Sequence, residues 1–310
     1  MLARFSVLKS EGSGVAVNTD DMIKTLEGSG DYRVLRRLKP RDEFETVSPG
    51  QELKMGVLID LETTGLDTTL DEVIELGLVK FAYLPDDRVA RVVDTFGAFN
   101  EPTRPIPPEV TELTGITAAM VAGHCIDSTA VAAFISDAVI VIAHNAAFDR
   151  PIAERYWPEF VDKAWACSAN QIEWRKEGFE GSRLAYLLAK TGMFHDAHRA
   201  VDDCRALLEI LASTLPKTER SALSTLLSQA RRKTVRIWAE YAPFELKNEL
   251  KKRRYRWSDG SDGRPRSWYV DVDEADEANE IAFLCKEIYY REIEFRTQPV
   301  TALTRFSNRN

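Results

Sequence analysis

Apolar positions recur along this chain with two periods, and the switches between them mark the elements. MGVLID, from Met55 to Asp60, is a short apolar run ending in an acid, as expected of a buried central strand. EVIELGLVKFAY and RVVDTFGAF read as two further strands, and the polar LPDD between them predicts a hairpin. NEPTRPIPPEV is proline-rich and reads as a loop, followed by TELTGIT, a short helix stopped by Gly115. A helix around Ser128 to Ser136 and the apolar strand AVIVIAHN come next, and AAFDRPIAERYW reads as a helix with Pro151 in its first turn. Three sequential strands followed by strand–helix alternation predict an α/β fold, a mixed sheet with helices packed on it.

Residues 199–213 predict a helix whose apolar face carries Ala200, Val201, Cys204, Leu207, Leu208 and Leu211. On that wheel Asp202 lies with Arg205 and Glu209 on the polar face, and Asp203 sits at the edge of the apolar stripe, facing the core. Four segments follow from the pattern. Residues 1–50 form an extension punctuated by Gly12–Gly14 and Gly28–Gly30, with one strand-like run around Tyr32 to Leu38. Residues 51–215 form the main α/β domain, 216–233 a polar linker, and 234–310 a small α/β module. In the last, VRIWAEY, YRW, RSWYVDV and EIEFR read as strands, and PFELKNELKKR and DEADEANEIAFLCKEIYY as helices.

Composition changes this picture in one respect. The formal charge of −8 over 310 residues is unpromising for a nucleic-acid protein, but residues 231–270 hold twelve Lys or Arg against five Asp or Glu. That stretch is +7 and the remainder −15, a pattern compatible with an acidic domain joined to a basic one. The four cysteines form no C-x-x-C pair, which excludes a zinc knuckle and a disulfide framework. No apolar run at the N-terminus resembles a secretory signal or a membrane span, so the expectation is a soluble, cytoplasmic protein with no membrane partner.

The candidate chemistry lies in three fragments: DLETTG at 60–65, HNAAFD at 144–149 and HRAVDD at 198–203. Asp60 ends a buried strand and Glu62 follows on the same face, because strand side chains alternate with period two. Burying unpaired carboxylates costs several kcal/mol, and a divalent cation is the usual remedy. Mg²⁺ and Mn²⁺ take oxygen ligands and bind through carboxylates together with substrate phosphate. Asp60, Glu62, Asp149 and Asp203 have the charge for two such ions, whose natural chemistry is in-line phosphodiester hydrolysis. His198 adds a base whose unperturbed pKa of ~6.5 suits proton abstraction from water. It precedes the helix bearing Asp203, on a loop that Gly192 would allow to move.

These residues resemble the DEDDh exonucleases, which include the proofreading subunit of bacterial replicative polymerase. D-x-E-T-T-G is matched by Asp60, Glu62, Thr63, Thr64 and Gly65; H-N-x-x-F-D by His144, Asn145, Phe148 and Asp149; and the H-to-D spacing of the third motif by His198 and Asp203. The resemblance covers roughly residues 55–213. It implies a ribonuclease H-like mixed sheet, two Mg²⁺ or Mn²⁺ ions, His198 as general base, and release of nucleoside monophosphates from a 3′ end, with DNA favoured over RNA. It also implies a terminal-nucleotide pocket lined by Thr63, Thr64, Gly65 and Leu66, with Asn145 and Phe148 counted among the substrate contacts. The partners implied are nucleic acid and a DNA polymerase or repair assembly. Thr114–Thr117 look like a flanking family segment, although a turn and a helix stop explain Gly115 and Ile116 equally. Two alternatives stay open: a catalytically silent nucleic-acid-binding or polymerase-accessory protein, and an RNA-trimming exoribonuclease.

Several residues are set aside. His144 reads as an imidazole bonded to backbone rather than as a ligand. His195 and His198 do not make a zinc pair, because no cysteine or third histidine lies at ligand spacing. His124 reads as a surface residue. In the basic module, FELKNELKKRRYRW followed by SWYVDV resembles a small module attached to some bacterial exonuclease-like proteins. Lys247, Lys251, Arg254 and Arg256 are candidate phosphate contacts, with Lys252 and Arg253 beside them. Trp257 and Trp268, together with Tyr255 and Tyr269, are candidate stacking surfaces. The opposing reading, aromatics filling a small core and charges covering a solvated helix, stays open.

Overall fold

The long apolar runs pair first. In the computed structural model, which describes residues 18–261 and 263–309, β1 (Arg36–Arg37) precedes three long strands, β2 (Lys54–Thr63), β3 (Val73–Tyr83) and β4 (Val89–Phe99). β5 (Ile140–Ala143) and β6 (Trp165–Cys167) complete a five-stranded sheet of order β4-β3-β2-β5-β6. The first three strands are antiparallel, and β5 and β6 run parallel to β2. β2 is therefore buried between a hairpin and a crossover, which is why nearly every residue from Gly56 to Ile59 is apolar. Apolar clusters cover both faces, one around the helix Ala200–Ala212 and the other around the helices Ser128–Ile135 and Ala146–Tyr156. This is a mixed α/β architecture, a mixed sheet with helices packed on both faces.

Four expectations are corrected here. The segment expected as a linker contains the helix Ala222–Ala230, whose Leu223, Leu226 and Leu227 sit in the same core as the Ala200 helix. Its apolar residues recur at helical spacing, but Ser, Thr and Gln between them blur the stripe. Pro108 starts the helix that ends at Gly115, so the proline-rich loop is shorter than expected. Pro151 lies inside the helix Ala146–Tyr156 beyond its first turn, where it withholds one backbone donor. Glu209, assigned to the solvated face, is buried and held by a bidentate contact from Arg41.

The N-terminal segment braces the main domain. β1 pairs with β7 (Met193–Phe194), Leu38 enters the core, and Asp42 bonds Arg205 on the Asp203 helix. A helix spans Thr19–Gly28; the punctuation at Gly12–Gly14 lies outside the described residues.

The C-terminal module is an antiparallel sheet of order β11-β8-β10-β9, built from β8 (Thr234–Ala239), β9 (Arg256–Trp257), β10 (Trp268–Asp273) and β11 (Arg296–Val300). The last strand lies four residues beyond the expected EIEFR, and its Pro299 is tolerated because β11 is an edge. Residues 301–309 then return to the five-stranded sheet. Ala302 O accepts from the Trp165 amide, and fully buried Arg150 donates to the carbonyls of Ala302, Leu303 and Arg305. No helix among the described residues is long and apolar enough to cross a membrane.

Candidate active site

Two acids reach the site from β2, at its C-terminal end beside the parallel partner β5, the end at which open α/β sheets bind ligands. The third comes from the Ala200 helix, and a glycine decides how close that helix can lie. Gly77 is the cross-strand partner of Asp60, and a β-carbon there would collide with the backbone of Ala200 and Val201. Without one, the first turn of the helix rests directly on β3 and brings Asp203 over β2.

Carboxylate oxygens of Asp60, Glu62 and Asp203 lie within 4.8 Å of one another, the spacing a divalent cation needs from its ligands. Asp149, at the start of its own helix, is buried and raises the Asp60 pKa through its charge, but stands outside that tightest trio. Burial pushes Asp60 well above the carboxylate range, and the charges of Asp149, Asp203 and Glu62 add to it. Glu62 is raised to about 8, first by burial and then by Asp203 and Glu75. Asp149 is raised to about 8 by burial, with Glu62 contributing. Buried acids that repel one another in this way suit hard divalent ions, whose charge would offset the repulsion.

The third motif differs in detail from expectation. Asp203 accepts the backbone amides of His198 at 2.7 Å and Arg199 at 3.1 Å on one oxygen, and His195 Nε2 at 2.8 Å on the other. His195 is a buried positioning partner, with 5% of its side chain exposed, and its Nδ1 has no hydrogen-bond partner. Since Asp203 accepts, Nε2 carries the proton. Sequence reading missed this, since nothing in the spacing of His195 distinguishes it. It missed Glu75 as well, although an acid in the middle of VIELGLVKFAY was a visible signal. Glu75 is paired in register with Glu62 and binds Arg199 through both carboxylate oxygens, and Arg199 in turn lowers the Glu62 pKa.

His198 has φ of +67°, a strained conformation for a residue other than glycine, and its own N–H bond to Asp203 holds it there. Its ring is 45% exposed and places Nδ1 3.9 Å from Glu62 Oε1. Gly192, expected to permit motion, instead ends a helix at φ +85°, and its carbonyl accepts the Arg36 amide. The loop is braced by β1 rather than hinged.

Around the acids, Thr63 donates to Gly65 O and Thr64 to Asp71, fixing a tight turn in which a β-carbon on Gly65 would strike the Asp71 carboxylate. Leu66 beyond it is 87% exposed, a side chain free to meet a ligand. Asn145 is exposed at the start of the Asp149 helix, and Phe148 is half-buried against the core. His144 is clamped between Ser168 Oγ at 2.8 Å and Ser182 O at 2.6 Å. Gly115 caps its helix at φ +72° and Ile116 is buried with Ile74 and Val121, so structural roles account for both. His124 is exposed.

In the C-terminal module the aromatic candidates divide. Tyr255 and Tyr269 are buried and unavailable for stacking on a base. Trp257 is 51% exposed and meets half-buried Trp268 edge-on. Arg256 is spent on Asp271, Lys247 lies over Phe244 and Lys251 over Trp268, and Arg254 is exposed.

The exonuclease family model matches residues 57–211, half of the chain. The PolC-type DNA polymerase III of Caldanaerobacter subterraneus subsp. tengcongensis is 29% identical over 177 residues, covering 55% of this chain and 12% of its own length. That of Clostridium perfringens is 32% identical over 168 residues, covering 52% and 11%. The chain thus spans about a tenth of these relatives. E. coli exonuclease I in complex with a dA16 oligonucleotide aligns over 71% of this chain and 63% of its own, at 15% identity and a TM-score of 0.47. All four acids and His198 fall within the matched span, and this protein belongs to the exonuclease family.

Proposed function

We propose that the protein removes nucleotides singly from 3′ ends, of DNA before RNA, by hydrolysing the terminal phosphodiester. The observation that carries this reading is the convergence of Asp60, Glu62 and Asp203 with His198 at their rim, 3.9 Å from Glu62. Asp60, Glu62, Asp149 and Asp203 would hold two divalent ions, Mg²⁺ or Mn²⁺, which when bound supply positive charge to the scissile phosphate and ease ionisation of water. His198, half-exposed at the mouth, takes the proton of the attacking water. The bond between phosphorus and the departing 3′-oxygen breaks, and a nucleoside monophosphate is released. His195 and the amides of residues 198 and 199 keep Asp203 from turning away. Leu66 and Phe148 wedge against the terminal base, while Thr63, Thr64, Gly65 and Asn145 shape its pocket.

Residues 51–230 act as the nuclease unit and 234–309 as an appended module, working alone or beside a polymerase or repair assembly. The test is a matched digest of 3′-labelled DNA and RNA, single- and double-stranded, by wild type and Asp149→Ala. We expect labelled mononucleotide from the wild type with Mg²⁺ or Mn²⁺ and none from the variant. Products longer than one nucleotide, or no product with either ion, would defeat the reading.

A further inference from the structure

The C-terminal module spends most of its cations internally. Arg253 binds Glu280, Arg236 and Arg256 share Asp271, and Lys252 binds Glu249. Arg254 is an exception: exposed and at φ +68°, it follows the helix Lys247–Lys252 and precedes Tyr255, whose ring is buried and bonded to Glu280. It lines a cavity of about 350 Å³ with Arg175, Lys176 and Glu173 of the catalytic domain. Lys176 engages Glu173 at 2.7 Å, and neither Arg175 nor Arg254 is ion-paired among the described residues. The seam between the two units is therefore net positive in a chain whose overall charge is −8.

The cavity adjoins the site. Ser182 and Ala169 belong to its lining; Ser182 O receives His144 Nε2 at 2.6 Å, and the Ala169 amide bonds His144 O at 3.1 Å. His144 opens the motif that ends in Asp149 and feels the charge of Asp203, so this residue links the cavity wall to the acids. Trp257 lies three residues beyond Arg254, within ~10 Å along an extended chain, with half its indole in solvent.

We infer that this seam, with Arg254 and Arg175 as its phosphate contacts and Trp257 as an outer stacking face, is a subsite for single-stranded nucleic acid behind the terminal nucleotide. The inference rests on the function proposed above and adds a task for the appended module. Four clustered carboxylates repel a polyanion, and cations placed just beyond them offset that repulsion and direct the strand toward the site. A half-exposed indole accepts any base, so the subsite reads backbone and stacking rather than sequence.

The test is fluorescence anisotropy of a labelled single-stranded DNA of about 20 nucleotides, titrated with full-length protein in chelator at several salt concentrations. Binding is thereby read without turnover, and a failure of the nuclease assignment would show separately as an absence of released mononucleotide with Mg²⁺ or Mn²⁺. Arg254→Glu and Arg175→Glu should each weaken binding about tenfold and reduce the salt slope by about one. The same charge change at Lys24, outside the cavity, serves as control. Trp257→Ala should weaken binding at least about fivefold with the salt slope preserved, since stacking releases no counterions. Circular dichroism establishes that each variant is folded. Arg254→Glu and Arg175→Glu proteins that bind within twofold of wild type at every salt concentration, or no more weakly than Lys24→Glu, would overturn the subsite.

Discussion

One helix, Ala146–Tyr156, carries two buried carboxylates in opposite states. Asp149, near its start, is driven up to about 8 by burial and by neighbouring acid. Glu154, near its end, is buried too, yet hydrogen bonds from Arg309, Ser307 and Arg150 outweigh that burial and hold it below the ordinary carboxylate value. The helix and the residue class are shared; the difference is whether the chain supplies a cation. Where it does, the acid is a structural staple. Where it withholds one from several acids together, the site is left for a cation from solution.

The contrast is broken most forcefully at the unpaired acids. Asp60→Asn or Asp149→Asn should lower the rate of nucleotide release by on the order of 10³-fold or more. In chelator the same variants should melt no lower than wild type, since each removes a repelling charge; a large drop in melting temperature would mean that these acids are structural after all. At the paired end, Glu154→Ala strands the fully buried Arg150 and should cost ~3–5 kcal/mol in denaturant unfolding, with activity per folded molecule retained.

His195→Ala sharpens the comparison at a smaller scale. Loss of a partner that orients a ligand should weaken Mn²⁺ binding ~10–100-fold by titration calorimetry, whereas His198→Ala should spare Mn²⁺ affinity and lose turnover. The mildest effect concerns pH. Glu62 and Asp149 have folded pKa values raised to about 8, so the folded protein keeps protons that the unfolded chain has released. In chelator, the contribution of these two groups to stability should be fullest below about pH 4 and be lost as pH climbs toward 8. Added Mn²⁺ should raise the melting temperature increasingly over that window. A flat melting profile from pH 5 to 9 in chelator would contradict the shifts.

What could be read from sequence was whatever is local. β2, β3 and β4 announce themselves as apolar runs, Asp203 declares its side of the helix against Asp202, and DLETTG, HNAAFD and HRAVDD sit on the elements expected of them. Contacts that join distant residues were not legible. Arg199 meets Glu75 and Arg150 meets residues 302–305 across more than a hundred positions, and neither end of such a pair constrains the identity of the other. The helix Ala222–Ala230 was hidden for a different reason, since Ser, Thr and Gln between its leucines blur the apolar stripe.

The sealing of Arg150 also orders events during synthesis. Its guanidinium is closed off by carbonyls of Ala302, Leu303 and Arg305, and the Trp165 amide by Ala302, so a nascent chain that has already made every acid of the site still presents an open edge and a bare buried cation. Closure of that edge therefore waits until residues 302–305 have been made, and a chain interrupted before them would carry the acids on an unsealed sheet, open to proteases.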